Sequence, residues 1–208
     1  MNGDGFRAWV LAALPGVAGH VEEFTELDSA AGDGDLGITL RSGTAAVDAA
    51  LRGLAEGTPI AVVCRTAGKA FAAGNPSSFA ALGGAGLLAA ARTLADVPDA
   101  DRGAAAAALR SALAVIMERG GAAPGERTVV DALLPSVEVL ERQGGGPAAP
   151  LPAMVAAAEE ATAATAHMVP RRGRAAWTGD RGAGVPDAGA TVWLRTLQAF
   201  AATDAQRR

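Results

Sequence analysis

Long alanine-rich stretches, cut at intervals by clusters of glycine, constrain this chain more than any other feature. Alanine is the commonest residue and aromatic side chains make up only 4% of the sequence, a balance that favours helices over strands. The 27 glycines would argue against helices if they were scattered. Most instead group at Gly32 to Gly37, Gly83 to Gly86, Gly120 to Gly125, Gly144 to Gly146 and Gly179 to Gly189, where they read as breaks between helices.

Apolar period and Gly, Pro and Asp punctuation predict about eight helices, over roughly 4–25, 36–53, 58–73, 77–95, 100–119, 128–143, 150–168 and 189–204. Asp35 is the expected N-cap of the second helix. Thr58 is the expected N-cap of the third, with Pro59 at the first helical position. Gly83, Gly84 and Gly86 fall inside the fourth, where each costs about 1 kcal/mol relative to alanine and permits close approach of a neighbouring helix. Gln143 to Pro152 reads as a short Gly/Pro linker, and the segment after it is too small to carry a core of its own. The expectation is therefore an all-α, single-domain bundle spanning residues 1–208.

Half the residues are hydrophobic, 19% are charged and the net charge is −4, which excludes an intrinsically disordered chain. With a pI near 5.2 there is no global basic field, so neither nucleic acid nor an anionic membrane is an expected partner. The single cysteine, Cys64, cannot form an internal disulfide, and no N-terminal segment resembles a secretory signal. Apolar stretches such as Ala104 to Leu109 are broken by charge, here at Arg110, well before the ~20 residues of a membrane span. A soluble, cytoplasmic protein is expected.

The most informative segment runs Leu27-Asp28-Ser29-Ala30-Ala31-Gly32-Asp33-Gly34-Asp35-Leu36-Gly37. Three carboxylates at spacings of five and two, separated by small residues, can converge and offer hard oxygen ligands to Mg²⁺ or Ca²⁺. An EF-hand is excluded, because the glycines sit between the acids and no closing glutamate follows. Spacing alone is equally consistent with Asp33 and Asp35 as turn and N-cap residues that happen to be acidic. Leu36-Gly37-Ile38-Thr39 then begins a helix whose first N–H groups are unpaired and whose dipole favours anions. Acids beside such a terminus suggest a Mg-nucleotide site in which the metal neutralises phosphates that the acids alone would repel. No glycine-rich loop ends in Lys-Ser/Thr, and the only lysine is Lys69, so this is not a P-loop protein.

Four segments, in order, resemble the ADP-binding L subunit of dihydroxyacetone kinase, the DhaL or Dak2 family. They are the acidic segment above; Gly74-Asn75-Pro76-Ser77-Ser78; Gly125-Glu126-Arg127-Thr128-Val129-Val130-Asp131-Ala132-Leu133-Leu134-Pro135; and Arg172-Gly173-Arg174-Ala175-Ala176-Trp177-Thr178-Gly179 running on to Asp187-Ala188-Gly189-Ala190. The resemblance covers nearly the whole chain. It implies a barrel-like bundle of eight antiparallel helices holding ADP or ATP at one end through two Mg²⁺ ions. It makes Asp28, Asp33 and Asp35 the metal ligands and sets the phosphates against Leu36, Gly37, Ile38 and Thr39, with further contacts from Ser77 and Ser78. Gly121, Thr128 and Val129 would line the nucleoside pocket, and Arg174 with Asp187, Ala188 and Gly189 would close it.

Each of these positions also has a plainer role. Thr128 is a plausible N-cap, Gly120-Gly121 can end the preceding helix, and Arg174 in a basic run can be a solvated surface charge. The chain also departs from the family pattern. Leu36 stands where histidine is usual, Asn75, Pro76 and Ser78 replace smaller residues, and Arg127 replaces lysine. Trp177 replaces tyrosine, Val185 replaces a common histidine and Ala188 replaces proline. A divergent branch is implied.

The implied activity is phosphoryl transfer by the nucleotide half of a small-ketose kinase, completed by a separate K-type substrate-binding subunit. The family uses either ATP directly or a retained ADP that a phosphotransferase-system protein rephosphorylates, and its members often form homodimers. Two other readings stand beside it: a catalytically degenerate, nucleotide-binding regulatory subunit, and a kinase with a different acceptor, as in the related fatty acid kinases. His20 and His167 are expected to be structural, Cys64 buried, and Trp9, Trp177 and Trp193 core or pocket-rim residues. No zinc spacing and no Ser-His-Asp order is present.

Overall fold

A computed structural model describes residues 1–142, 150–173, 176 and 182–207. Among these residues the chain forms nine helices and no strand: α1 (Gly3–Ala18), α2 (Val21–Ala31), α3 (Leu36–Arg52), α4 (Ile60–Gly74), α5 (Ser78–Thr93), α6 (Arg102–Gly120), α7 (Val129–Arg142), α8 (Leu151–Thr165) and α9 (Ala188–Arg207). The linker over 143–149, together with Arg174, Trp177 and Gly179, lies outside the described residues.

Seven of the nine match predicted helices to within a few residues at each end. The exception is the first: the helix expected over about 4–25 is two helices, which raises the number from eight to nine. Gly19 closes α1, its N–H turned back to the Pro15 carbonyl and that of His20 to the Val17 carbonyl, and His20 opens α2 with Glu22 and Glu23 in the first turn, where the helix dipole favours acids. The turn lets Val17, on one side, and fully buried Phe24, on the other, enter the same apolar cluster with Leu36, Leu40 and Val192. Because α2 continues to Ala31, Asp28 sits on the last turn of a helix rather than in a loop.

Two expected caps also differ. Pro59, not Thr58, is the N-cap of α4, and the Thr58 hydroxyl donates to the Ala55 carbonyl at 2.6 Å. Asp35 occupies the N-cap position of α3 without a side-chain cap bond, and the α3 N-terminus is capped from α2 instead.

Consecutive helices from α3 to α9 pack side by side, and α9 returns to α1 and α2, closing the ring. The glycines within α5 let it approach α4 closely: a Cβ on Gly84 would lie 2.7 Å from the carbonyl oxygen of Gly68. Trp9 stacks edge-on to Phe200 at 4.8 Å and donates to its carbonyl, while Trp193 donates to buried Ser136 at 3.1 Å, so both indoles pack within the helical framework. Cys64 is buried, and burial pushes its thiol up to about 11. The alternation of helix direction gathers the N-termini of α3, α5, α7 and α9 at one end of the bundle.

Candidate metal and nucleotide site

Asp28, Asp33 and Asp35 each offer a carboxylate oxygen within 4.8 Å of the others. Backbone geometry imposes this. The Gly32 N–H donates to the Asp28 carbonyl at 2.5 Å, and Gly34 turns the chain at φ +78°, a conformation that favours glycine. A Cβ on Gly32 would lie 2.6 Å from Asp28 Oδ1, and one on Gly34 would overlap the Ser29 hydroxyl. Small residues between the acids are thus a packing requirement of the turn that brings the acids together. Three hard anionic oxygens suit Mg²⁺.

The Leu36 N–H donates to Asp28 Oδ2 at 3.2 Å, tying the end of α2 to the start of α3. Gly37 allows the two helices to meet there, since a Cβ on it would overlap the Thr25 hydroxyl and lie 2.5 Å from the Val21 carbonyl. Leu36 itself is buried among Phe24 and Leu40, whereas Ile38 is 56% exposed at the same end. Thr39 is fully buried and its hydroxyl accepts from Asn75 Nδ2 at 2.8 Å. Asn75, a departure from the family pattern, therefore joins the α4–α5 loop to the first turn of α3. Ser77 caps α5, its hydroxyl accepting the Ala80 N–H at 3.1 Å, and Ser78 is exposed at the first helical position.

Loop 121–128 forms the next wall. Gly121 ends α6 at φ +58°. Thr128 immediately precedes α7, where its hydroxyl accepts the Val130 N–H at 3.2 Å. Asp131 reaches back to the N–H groups of Thr128 at 2.8 Å and Gly125 at 2.5 Å, a reciprocal capping arrangement whose Thr-x-x-acid spacing is legible in the sequence. Glu126 pairs with Arg172 through two bonds of 2.6 and 2.9 Å. The guanidinium, assisted by the Ala123 N–H, holds the Glu126 carboxyl below its usual range.

The last wall comes from residues 182–189. Asp187 accepts the Ala190 N–H at 2.7 Å at the start of α9, and its own N–H donates to Thr165 at 2.8 Å. Burial pushes the Asp187 carboxyl up to about 6, with the Ala190 N–H and the Arg127 guanidinium opposing the shift and Asp131 adding to it. Gly189 fits closely against Val129 and Phe79: a Cβ there would lie 3.4 and 3.5 Å from them. Thus α5, α7 and α9 meet at Gly189, and Gly182 packs on Ala31 beside the acidic turn. The structure gathers the described residues of all four sequence segments at one end, while Arg174 lies outside the described residues.

Arg127 has no counterpart among the residues expected at the site on chemical grounds. It is 4% exposed and donates to the carbonyls of Gly182 at 2.6 Å and Val185 at 2.7 Å. Those acceptors lie 55 and 58 residues away in sequence, so no local pattern announces them.

A family model, the DAK2 domain, matches residues 30–202. The chain belongs to the DAK2 domain family. This DAK2 protein is 40% identical over 184 residues to the D-erythrulose kinase of Mycolicibacterium smegmatis, covering 86% of its own length and 32% of that protein. It is 30% identical over 177 residues to the ADP-binding subunit DhaL of the PEP-dependent dihydroxyacetone kinase 2 of Listeria innocua, covering 82% and 81%. The fold matches the dihydroxyacetone kinase of C. freundii, solved in complex with AMP-PNP and Mg²⁺, with a TM-score of 0.75 at 22% identity, over 95% of this chain and 33% of that one. The chain thus spans about a third of the length of the erythrulose kinases it matches and most of the length of the separate DhaL subunit. Among the described residues no helix is long and apolar enough to cross a membrane.

Proposed function

We propose that this DAK2 protein binds a Mg-nucleotide and supplies the phosphoryl-donor half of a kinase for a small ketose. The observation that carries the reading is the set of Asp28, Asp33 and Asp35 oxygens within 4.8 Å of one another, beside the N-terminus of α3. Mg²⁺, when bound, supplies positive charge that screens the phosphates and favours charge build-up on the leaving oxygen. The chain's own residues do the rest. The three aspartates hold the metal, proposed as two Mg²⁺ ions. The N–H groups of Gly37 and Ile38 in the first turn of α3 face the phosphate oxygens with the positive end of the helix dipole, and Thr39, whose N–H donates to the Asp35 carbonyl, closes that turn. Ser77 and Ser78 present the start of α5 to the same group. Gly121, Thr128 and Val129 border the nucleoside, and Arg174, Asp187, Ala188 and Gly189 close over it.

A K-type subunit or domain is proposed to hold the acceptor. The names of the relatives favour a three- or four-carbon ketose, dihydroxyacetone or erythrulose. Either ATP or an ADP recharged by a phosphotransferase-system protein fits this site, and self-association as a homodimer is a further proposed state. The test is ketose phosphorylation by the chain together with a K-type subunit, with ATP or with phosphoenolpyruvate and the phosphotransferase proteins as donor. Turnover with one donor, lost about a hundredfold or more in Asp35→Asn, supports the reading. Wild-type turnover unaffected by Asp35→Asn contradicts it.

A second reading rests on Leu36. Its side chain is 6% exposed and packed on Phe24, and its N–H is donated to Asp28, so this position presents no titratable group to the site. The start of α3 still offers N–H groups at Gly37 and Ile38 to a phosphate, while no titratable ring stands beside it, as expected of a nucleotide-binding regulatory subunit. Tight Mg-nucleotide binding without turnover under either donor would select this second reading.

A further inference from the structure

Arg127 combines three features that are unusual together. It adopts φ +60°, the one positive φ among non-glycine residues described, a conformation costing an L-residue roughly 1–2 kcal/mol. It is an arginine buried to 4% exposure. Its guanidinium donates to two backbone carbonyls, those of Gly182 and Val185, and lies near enough to Asp187 to favour that carboxylate's charge. A buried charge in a strained backbone persists only where the surroundings compensate it, and here the compensation is a bridge between loop 121–128 and the 182–187 segment.

That segment leads in two directions that matter for the site. Gly182, at φ +74°, rests on the end of α2: a Cβ on it would lie 2.9 Å from Ala31 Cβ and 3.4 Å from the Ala30 carbonyl. Val185 leads through Pro186 to Asp187, which opens α9 by accepting from Ala190. Arg127 is adjacent to Thr128 and, through the same loop, to the bidentate pair of Glu126 and Arg172. One side chain therefore fixes the spacing between the end of the helix that carries Asp28, the start of α7 and the start of α9.

We propose that Arg127 is a positioning residue that couples the nucleotide-closing segment to the carboxylate turn. It does so by holding Gly182 against Ala31 through its bonds to the Gly182 and Val185 carbonyls. The inference rests on the Mg-nucleotide reading of the site. Arg127 touches neither metal nor nucleotide in this account; it sets the distance between the groups that do. Both bonds leave one nitrogen, Nη2, so a lysine ammonium has donors enough for the two carbonyls but lacks the planar guanidinium that orients them.

The test uses the full chain as wild type, Arg127→Met and Arg127→Lys. Three quantities are read: Mn²⁺ binding alone by electron paramagnetic resonance, ADP affinity with and without Mg²⁺ by calorimetry, and amide hydrogen exchange over 182–192. Arg127→Met is expected to leave Mn²⁺ binding within about twofold of wild type and to speed exchange over 182–192. Its Mg-dependent ADP affinity should fall by on the order of tenfold, the scale of a coupling between adjoining sites. Arg127→Lys is expected to recover part of that loss. Should Arg127→Met not fold, Gly182→Ala applies the same displacement from the opposite side of the contact and is expected to show the same pattern. Faster exchange in a folded variant with wild-type ADP affinity would overturn the inference, leaving Arg127 a purely structural bridge. An equal loss of Mn²⁺ and ADP binding would overturn it as well, because the effect would then be on the carboxylates themselves. Failure of the wild-type chain to bind ADP contradicts the Mg-nucleotide reading and this inference together, whereas a variant indistinguishable from wild type contradicts only the inference.

Discussion

The Asp28 carboxylate, on the last turn of α2, accepts the backbone N–H of Leu36 at the first position of α3, at 3.2 Å. One side chain thereby serves two ends: one oxygen caps a helix, and the carboxylate remains within reach of Asp33 and Asp35. The cap role belongs to the protein without metal, and the ligand role appears only when a cation is present.

The two roles separate on mutation. Asp28→Ala removes the cap and should destabilise the metal-free protein by about 1 kcal/mol. Asp28→Asn keeps an acceptor for the Leu36 N–H and should cost distinctly less. Denaturant unfolding in the presence of a chelator measures both. Equal stability of the two variants would show that the Asp28 bond contributes nothing to capping.

The expectation of a single helix over about 4–25 failed for a reason visible in the packing. Val17, Val21 and Phe24 all enter the core, so the apolar period runs straight through the turn at Gly19 and His20. The signal of a second helix was electrostatic, Glu22 and Glu23 at its first turn, with His20 Nδ1 lying 2.9 Å from Glu23. Helix ends marked by Gly121, Ser77 and Thr128 were legible because each acts through neighbours within three residues. The bridge from Arg127 to Gly182 and Val185 was not, because a buried guanidinium is specified only by carbonyls supplied from a distant segment. The acidic turn stood between these extremes: its residues were evident, and only the fold shows that Gly32 and Gly34 are what allow the carboxylates to converge.

Close contact between α4 and α5 depends on Gly84. A methyl there would lie 2.7 Å from both the Gly68 carbonyl oxygen and Ala72 Cβ, so Gly84→Ala should destabilise the protein by about 1–3 kcal/mol. This contact lies along the body of the helix pair, away from the acidic turn. Thermal unfolding of the variant checks the cost, and unchanged stability would show that the two helices separate freely.

Burial of Asp187 makes a signed prediction for pH. Its carboxyl is raised from an ordinary 3.8 to about 6 in the folded chain, so between these values the native state binds more protons than the unfolded state. Stability contributed by this group is present below about pH 4 and is lost as pH rises through about 6. Asp187→Asn keeps an acceptor for the Ala190 N–H without the charge, and should remove this dependence. Near pH 7.5 the variant should gain on the order of 1–3 kcal/mol over wild type without nucleotide. Unfolding midpoints at pH 5 and 7.5 for both proteins provide the check, and parallel profiles would contradict it.

Cys64 gives a simple probe of the core. Its thiol is buried and pushed up to about 11, so little thiolate is present near neutral pH. A thiol reagent should find no fast-reacting group in the folded protein and one group after denaturation. Rapid titration of the native chain would mean that the α4 face bearing Cys64 opens readily.

The central claim is that Asp28, Asp33 and Asp35 form a metal centre through which a nucleotide is held. Calorimetric titration of ADP into the purified chain, with and without Mg²⁺, repeated for Asp33→Asn, tests it most directly. The account predicts Mg²⁺-dependent binding that weakens by roughly tenfold or more when one hard anionic ligand is lost. No binding by a folded, nucleotide-free wild-type chain, or binding indifferent to both Mg²⁺ and Asp33→Asn, would contradict it.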